Sequence, residues 1–104
     1  MHFAAKRNNS DLIKLLLYYK SDVNAKDING RSPLFNACMM SNVRAVQVLL
    51  SNMGNVFSMD KDGNKLDEMT SNPEILKMIS KGKSVSIVLI CGLYYILLYS
   101  SKLL

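Results

Sequence analysis

Apolar residues recur along the first eighty positions in a pattern that repeats every 33 residues, as from Ala4 to Ala37. Superposing the sequence on itself at that offset pairs apolar positions with apolar positions and turn residues with turn residues. The further pairs are Ile13 with Val46, Leu16 with Leu49, Leu17 with Leu50, Val23 with Val56, Asp27 with Asp60, and Gly30 with Gly63. A fixed period of this length is typical of stacked repeats, in which one unit cannot bury its apolar face until a neighbour covers it.

Residues 27–59 form the one complete unit, and their pattern predicts a loop followed by two helices. Residues 27–30 provide turn chemistry, because asparagine and glycine accept the positive φ of a tight turn. Ser32 followed by Pro33 predicts a helix start, since the hydroxyl can cap free N–H groups and proline has no N–H to leave unpaired. Apolar residues spaced three and four apart then predict helices over about 33–40 and 43–50.

These residues resemble the ankyrin repeat, whose pattern is roughly Asp-x-x-Gly-x-Thr-Pro-Leu-His-x-Ala-Ala, a glycine turn, an Ile-Val-x-Leu-Leu-Leu helix and Ala-Asp-Val-Asn. The matching residues are Asp27, Gly30, Ser32, Pro33, Leu34, Ala37, Ala45, Val46, Val48, Leu49, Leu50 and Val56. The resemblance covers residues 1–80 and implies an all-α ankyrin-repeat solenoid, built from stacked helix-turn-helix units with hairpin loops. Residues 1–26 would be a partial first repeat, 27–59 a complete repeat, and 60–82, which lack Thr-Pro, a degenerate final repeat.

Several positions depart from the family pattern. Lys20 and Met53 stand where the family usually has the glycine that ends the second helix, so we expect strain or a shifted turn, with Gly54 taking that role in the second repeat. Phe57 stands where Asn24 stands one repeat earlier. We therefore expect weaker hydrogen bonding in the second of these loops.

The beginning of the sequence also departs from the pattern. Met1 falls at the start of a helix, with no loop or polar capping repeat before it. Solenoids need about three repeats and polar caps for independent stability. We therefore expect marginal stability, and either the carboxyl end of a longer protein, a decayed gene product, or a chain completed by a partner.

Residues 84–101 carry no charge, and no repeat pattern continues there. The apolar residues of this segment are Val85, Ile87, Val88, Leu89, Ile90, Leu93, Ile96, Leu97 and Leu98. Eighteen helical residues give about 27 Å, close to the hydrocarbon core of a thin bilayer. A C-terminal hydrophobic helix over residues 83–102 is thus predicted as a transmembrane tail anchor. The flanking and interfacial residues would be Lys81, Lys83 and Lys102, and Tyr94, Tyr95 and Tyr99. The alternative is a buried final helix, or a strand, packed on the last repeat.

The charge pattern argues against nucleic acid as a partner. The formal net charge is +5, but residues 1–80 hold ten Lys and Arg against eight Asp and Glu. The other three positive charges flank the apolar segment instead of forming a basic stripe, which favours a membrane. Cys38 and Cys91 lack metal-ligand or disulfide spacing, so a reducing compartment such as the cytosol is expected for the repeats.

Catalytic side chains are sparse in this sequence. His2 is the only histidine, and the resemblance gives it a structural role in bonding neighbouring loops. Asp67 and Glu68 are adjacent and would face apart on a helix. Gly30 and Gly63 belong to turns and do not form a phosphate cradle. We expect no enzyme, no cofactor, no metal and no small-molecule substrate.

The resemblance places partner binding at the loop tips and on the outer side of the first helices. In this chain the corresponding residues are Lys6, Arg7, Lys26, Ile28, Asn29, Arg31, Met39 and Met40. Ile28, Met39 and Met40 are apolar where exposure is expected, which is typical of an adaptable contact patch; the alternative is that neighbouring repeats cover them. The predicted function is a non-catalytic protein-interaction scaffold tethered to a membrane. The alternatives are a remnant of a longer protein whose tail packs on the repeats, or a small membrane protein with vestigial repeats.

Overall fold

The computed structural model describes the backbone of residues 1–103 and the side chains of residues 1–98. Five α-helices and one 3-10 turn follow one another along this part of the chain. They are α1 (His2–Lys6), α2 (Ser10–Tyr18), α3 (Pro33–Met39), α4 (Val43–Ser51), the 3-10 turn Leu66–Glu68, and α5 (Pro73–Leu103). The described residues form no strand, and one isolated antiparallel bridge joins Met59 to Lys65. The prediction of an all-α repeat fold with a C-terminal apolar helix is confirmed.

Local chemistry explains where the helices begin. The Ser32 hydroxyl oxygen accepts a hydrogen bond from the backbone N–H of Phe35 at 3.2 Å, and Pro33 is the first residue of α3. At the start of α2, the Asn9 side chain accepts from the backbone N–H of Leu12 at 3.1 Å. A cap of this kind pairs an N–H group that has no partner within the helix. The predicted bounds of α3 and α4 agree with the structure to within one residue.

Within the described backbone, four non-glycine residues have positive φ, and each follows the end of a helix. They are Asn8 (54°), Lys20 (63°), Ser41 (54°) and Met53 (71°), which form two pairs at the 33-residue offset. After each one, the next residue donates its backbone N–H to a carbonyl in the last helical turn. These bonds run from Asn9 to Ala4, Ser21 to Leu16, Asn42 to Ala37 and Gly54 to Leu49, at 2.8–3.0 Å. This is the Schellman ending of a helix, repeated four times without glycine at the left-handed position.

The expectation that Gly54 takes over the left-handed position is wrong. Met53 itself adopts φ of 71°, at the residue where the family pattern has glycine. Gly54 is required for a different reason, because a Cβ atom there would lie 2.7 Å from the carbonyl oxygen of Leu49. The turn is therefore strained, as expected, but it is not shifted along the sequence.

The two repeats stack helix on helix, with α1 against α3 and α2 against α4. The buried core between and within them consists of Ala4, Ala5, Ile13, Leu34, Phe35, Ala37, Cys38, Ala45, Val46 and Leu49. Polar groups also join the repeats, since the Asn42 side-chain amide donates to the carbonyls of Ala5 and Lys6 at 2.7 and 2.9 Å. Asn8 Oδ1 accepts from the backbone N–H of Ala45 at 3.0 Å.

The loops of successive units are joined in the same way. His2 Nε2 lies 2.8 Å from the carbonyl oxygen of Arg31, so the sole histidine has the structural position that was predicted. The Asn24 side chain donates to the carbonyl of Met53 at 3.1 Å and accepts from the backbone N–H of Asn55 at 2.8 Å. Phe57, at the equivalent position, is half exposed and has no amide with which to form such bonds.

Helix α5 extends without a break from the last repeat through the apolar segment. Its first turns pack on the second repeat, where Ile75 and Ile79 are buried, and the 3-10 turn Leu66–Glu68 precedes it. From Val85 to Leu98, however, the large apolar side chains are 46–69% exposed. The alternative of a strand is therefore wrong, and the described part of the segment does not pack on the repeats. The side chains of Tyr99 and Lys102, predicted to lie at the far interface, fall outside the described residues.

Candidate interaction surface

Four of the residues predicted to bind a partner lie together where the first helices end. The 33-residue offset places Lys6 level with Met39 and Arg7 level with Met40, and the packing of α1 on α3 brings the two pairs side by side. All four side chains are exposed, Met40 by 59%. We define these residues as the helix-end patch, which combines two flexible thioethers with two positive charges.

The other four predicted residues lie at the opposite end of α3, in the loop before it. Lys26 and Ile28 are exposed, and the exposed fraction of Ile28 reaches 92%. Asn29 is half-buried, and its carbonyl accepts from the backbone N–H of Lys61 in the next loop at 3.0 Å. Asn29 therefore takes part in joining the loops as well as lying at a loop tip.

Arg31, also predicted to bind a partner, makes several contacts within the protein itself. Its guanidinium carbon lies 5.7 Å from the centre of the Phe35 ring, and its Nε atom lies 4.0 Å from Asp60 Oδ2, a separation that gives an ion pair but no hydrogen bond. Its backbone N–H donates to Asp27 Oδ1 at 3.0 Å. Arg31 thus stabilises the stack of loops, because its charge faces the carboxylate of the next repeat.

The two groups of predicted residues are separate on the surface. Every residue of α3 from Pro33 to Cys38 is buried, and seven helical residues span roughly 10 Å. Neighbouring repeats do not cover the apolar residues among the predicted ones, since Ile28, Met39 and Met40 are all exposed in this structure.

Two loop carboxylates ionise more readily than usual. The backbone N–H of Arg31 is the main cause that lowers the pKa of Asp27, with help from that of Asn29. The side-chain amide of Asn64, which donates to Asp60 at 2.9 Å, is the main cause that lowers the pKa of Asp60. Both aspartates are therefore charged acceptors within the loops at neutral pH.

Burial has the opposite consequence for the thiol of Cys38. Desolvation raises its pKa to about 12, so the thiol stays protonated and unreactive at neutral pH. Among the side chains described, those of residues 1–98, no group of three His, Cys, Asp or Glu is close enough to hold a metal ion.

Sequence reasoning missed Phe3, which lies beside the helix-end patch. Its ring is 64% exposed, and the guanidinium carbon of Arg7 stands 5.1 Å from the ring centre. At the 33-residue offset Phe3 corresponds to Asn36, which is buried. The signal available in the sequence was the alignment of an aromatic residue with a polar one at the 33-residue offset.

A second feature missed from the sequence is a groove of about 640 Å³ between α4, the loop that follows it, and α5. Its apolar lining consists of Leu50, Met53, Val56, Met78, Val85 and Leu89, and its polar lining of Asn24, Gln47, Ser51, Asn55, Lys81 and Ser86. None of these lining residues is acidic. The position of the groove depends on the direction in which α5 leaves the repeats. The repeat pattern in the sequence gives no information on that direction.

Comparison with known proteins identifies the segment that carries the helix-end patch. A family model described as ankyrin repeats in many copies matches residues 1–50. An ankyrin repeat protein of Acanthamoeba polyphaga mimivirus is 40% identical over 57 residues, which are 54% of this chain and 6% of that protein. An ankyrin repeat protein of fowlpox virus is 29% identical over 86 residues, 83% of this chain and 13% of that protein. A rice protein named as a probable E3 ubiquitin-protein ligase is 38% identical over 50 residues, 48% of this chain and 10% of that protein.

The chain thus spans only 6–13% of the length of these relatives.

Proposed function

Because the chain carries an ankyrin-repeat segment over residues 1–50, we propose that it is a non-catalytic protein-interaction module that helix α5 tethers to a membrane. The repeats stay on the cytosolic side, where Lys81 and Lys83 precede the apolar segment. The observation that carries the interaction part is the exposure of Met39 and Met40 next to two cations.

The helix-end patch is suited to a protein partner with apolar side chains flanked by carboxylates. Thioethers adapt to irregular apolar surfaces, and Lys6 and Arg7 contribute attraction to acidic groups at the rim. Phe3 extends the apolar area beside Arg7. The ion pair of Arg31 with Asp60 makes Arg31 a poor test residue, since its substitution would perturb the loops as well.

Affinity purification with paired variants tests this assignment. Met39→Asp combined with Met40→Asp places negative charge on the patch, whereas Met59→Asp does so at another exposed methionine, outside the patch. We expect a specific partner to be captured by the wild type and by the Met59 variant, but not by the double variant. Capture of the same partner by all three proteins would show that binding occurs elsewhere.

The membrane part of the proposal is supported by the apolar surface of α5. The structure contains one helix, Pro73–Leu98 in its described side chains, that is long and apolar enough to cross a membrane, with mean hydropathy 1.5. From Val85 onward, apolar residues lie on all sides of this helix, a pattern expected for a helix surrounded by lipid and not for one packed along a single face. Nine apolar side chains of this segment expose about half of their surface or more. Moving that surface from water into lipid would stabilise the inserted helix by on the order of 10 kcal/mol.

Carbonate extraction tests the tether. Full-length protein, a chain ending at Gly82, and a full-length variant carrying Ile90→Lys and Leu93→Lys are expressed and fractionated in parallel. We expect only the unaltered full-length chain to remain with membranes at alkaline pH, because the two lysines make insertion costly at the centre of the span. Release of the full-length chain into the soluble fraction would refute the tether.

A further inference from the structure

The groove beside α5 joins the repeats to the apolar segment. One wall is formed by α4 and the loop after it, and the other by α5 from Met78 in the repeat to Leu89 in the apolar segment. Helix and loop come close near Gly82, where a Cβ atom would lie 2.8 Å from Val56 Cγ1. A single continuous groove therefore runs from the polar repeats towards the part of α5 that is apolar all around.

The depth of the groove relative to the bilayer follows from the rise of the helix. The uncharged segment begins at Ser84, and Leu89 lies five residues further, or about 7.5 Å along the axis. With α5 inserted from Ser84 onwards, the end of the groove at Leu89 reaches the level of the acyl chains. The loop on the opposite wall then lies in the headgroup layer, which suits its exposed apolar side chains, Met53 at 81% and Phe57 at 50%.

The lining of the groove has the chemistry of an amphiphile site. Leu50, Val56 and Leu89 provide apolar surface, and amide and hydroxyl groups also line the groove. Lys81 is the one charged residue among the lining residues, since the next lysine, Lys83, lies outside the lining and pairs with Asp67 at 3.6 Å. With one cation and no carboxylate, the lining favours a ligand that carries a negative charge at its polar end.

We propose that this groove binds one phospholipid with an anionic headgroup. Its headgroup lies beside Lys81 and one acyl chain lies along Val85 and Leu89. The volume of about 640 Å³ falls within the usual range of ligand sites. The proposal rests on the membrane tether proposed above, and it adds that the repeats are held against an acidic lipid surface by a specific contact and not by the helix alone.

The test uses full-length protein in phosphatidylcholine vesicles with a small fraction of brominated phosphatidylserine or of brominated phosphatidylcholine. The chain has no tryptophan, so Gln47→Trp on the groove wall of α4 provides a single fluorophore that a bromine atom in the groove quenches. We expect half-maximal quenching at a lower fraction of phosphatidylserine than of phosphatidylcholine. Lys81→Gln should raise that phosphatidylserine fraction about fivefold, which corresponds to about 1 kcal/mol for one lysine near an acidic lipid. Lys77→Gln, on the same helix but outside the groove, should leave it unchanged.

A second pair of variants tests occupancy by steric exclusion. Ser86→Phe fills the groove and should abolish quenching by both lipids, whereas Val88→Phe places the same ring outside the lining and should not. Equal responses of Lys81→Gln and Lys77→Gln would overturn the headgroup assignment. Unchanged quenching in Ser86→Phe would show that no lipid occupies the groove. Both tests require that the wild-type protein stays bound to membranes after carbonate washing. If the wild type is released, the membrane tether itself is refuted.

Discussion

Replacing Lys20 with glycine should stabilise the repeats, although glycine usually destabilises a helical protein. Lys20 adopts φ of 63° after the end of α2, a conformation that costs a residue with a Cβ atom about 1–2 kcal/mol. Glycine removes this strain, but it also gives the unfolded chain more freedom, which costs about 0.4–1 kcal/mol. Since the Lys20 side chain is exposed, little packing is lost. The net gain in the free energy of unfolding should be about 0.5–1 kcal/mol.

The matched control is the same substitution at Lys14, an exposed position inside α2. There glycine costs about 0.8–1 kcal/mol because the backbone must hold an ordinary helical conformation. The two variants should therefore differ by about 1.5 kcal/mol, or roughly 6–12 °C in Tm for a unit of this size. Thermal unfolding of the full-length protein in detergent, followed by circular dichroism, measures the difference. If Lys20→Gly lowers Tm as much as Lys14→Gly does, the left-handed residue carries no strain and the reasoning fails.

Three further substitutions examine the contacts between and within the repeats. Asn42→Ala removes two hydrogen bonds to α1 and should cost about 2 kcal/mol in chemical unfolding, at least twice the cost of Asn52→Ala, whose side chain bonds only within its own helix. The pKa of Asp27 is lowered in the folded state, so the charged carboxylate contributes to stability at pH values above its ordinary pKa of 3.8, and this contribution is lost as the pH falls further. In Asp27→Asn, Tm should therefore depend less on pH in that acidic range. An unchanged profile of Tm against pH would exclude this contribution. With Cys91→Ser leaving one thiol, Cys38 should resist maleimide in the folded protein and react on unfolding, as followed by mass spectrometry; rapid labelling without denaturant would contradict its burial.

The repeat and its helices could be predicted from the sequence because both depend on local and periodic signals. The bounds of α3 follow from Ser32 and Pro33, and the equivalent positions of Asn8 and Ser41, or of Lys20 and Met53, follow from the 33-residue offset. The exposure of Met40 was expected from the family resemblance, which places it on the outer side of the first helix. None of these predictions requires knowledge of which residues pack against each other in the folded protein.

Features that depend on three-dimensional neighbours could not be predicted in this way. The role of Arg31 is set by Asp60, which reaches it only because the next loop stacks one repeat further along. The need for glycine at position 54 is set by its close approach to the carbonyl of Leu49, which exists only in the folded turn. Where the groove lies depends on the direction of α5, and a repeat alignment contains no information on that direction.

Because α5 is continuous, the number of residues between the repeats and the apolar segment determines how the repeats are rotated relative to that segment. An α-helix turns by about 100° per residue, and no loop separates the buried turns at Ile79 from the exposed apolar segment that starts at Val85. Deleting a single residue between them would rotate the helix-end patch by about a quarter of a revolution around the axis of α5 and shift it by about 1.5 Å along that axis, whereas a flexible linker would absorb the change. The direction in which the helix-end patch faces relative to the apolar segment is therefore fixed by the number of residues in one short helical stretch.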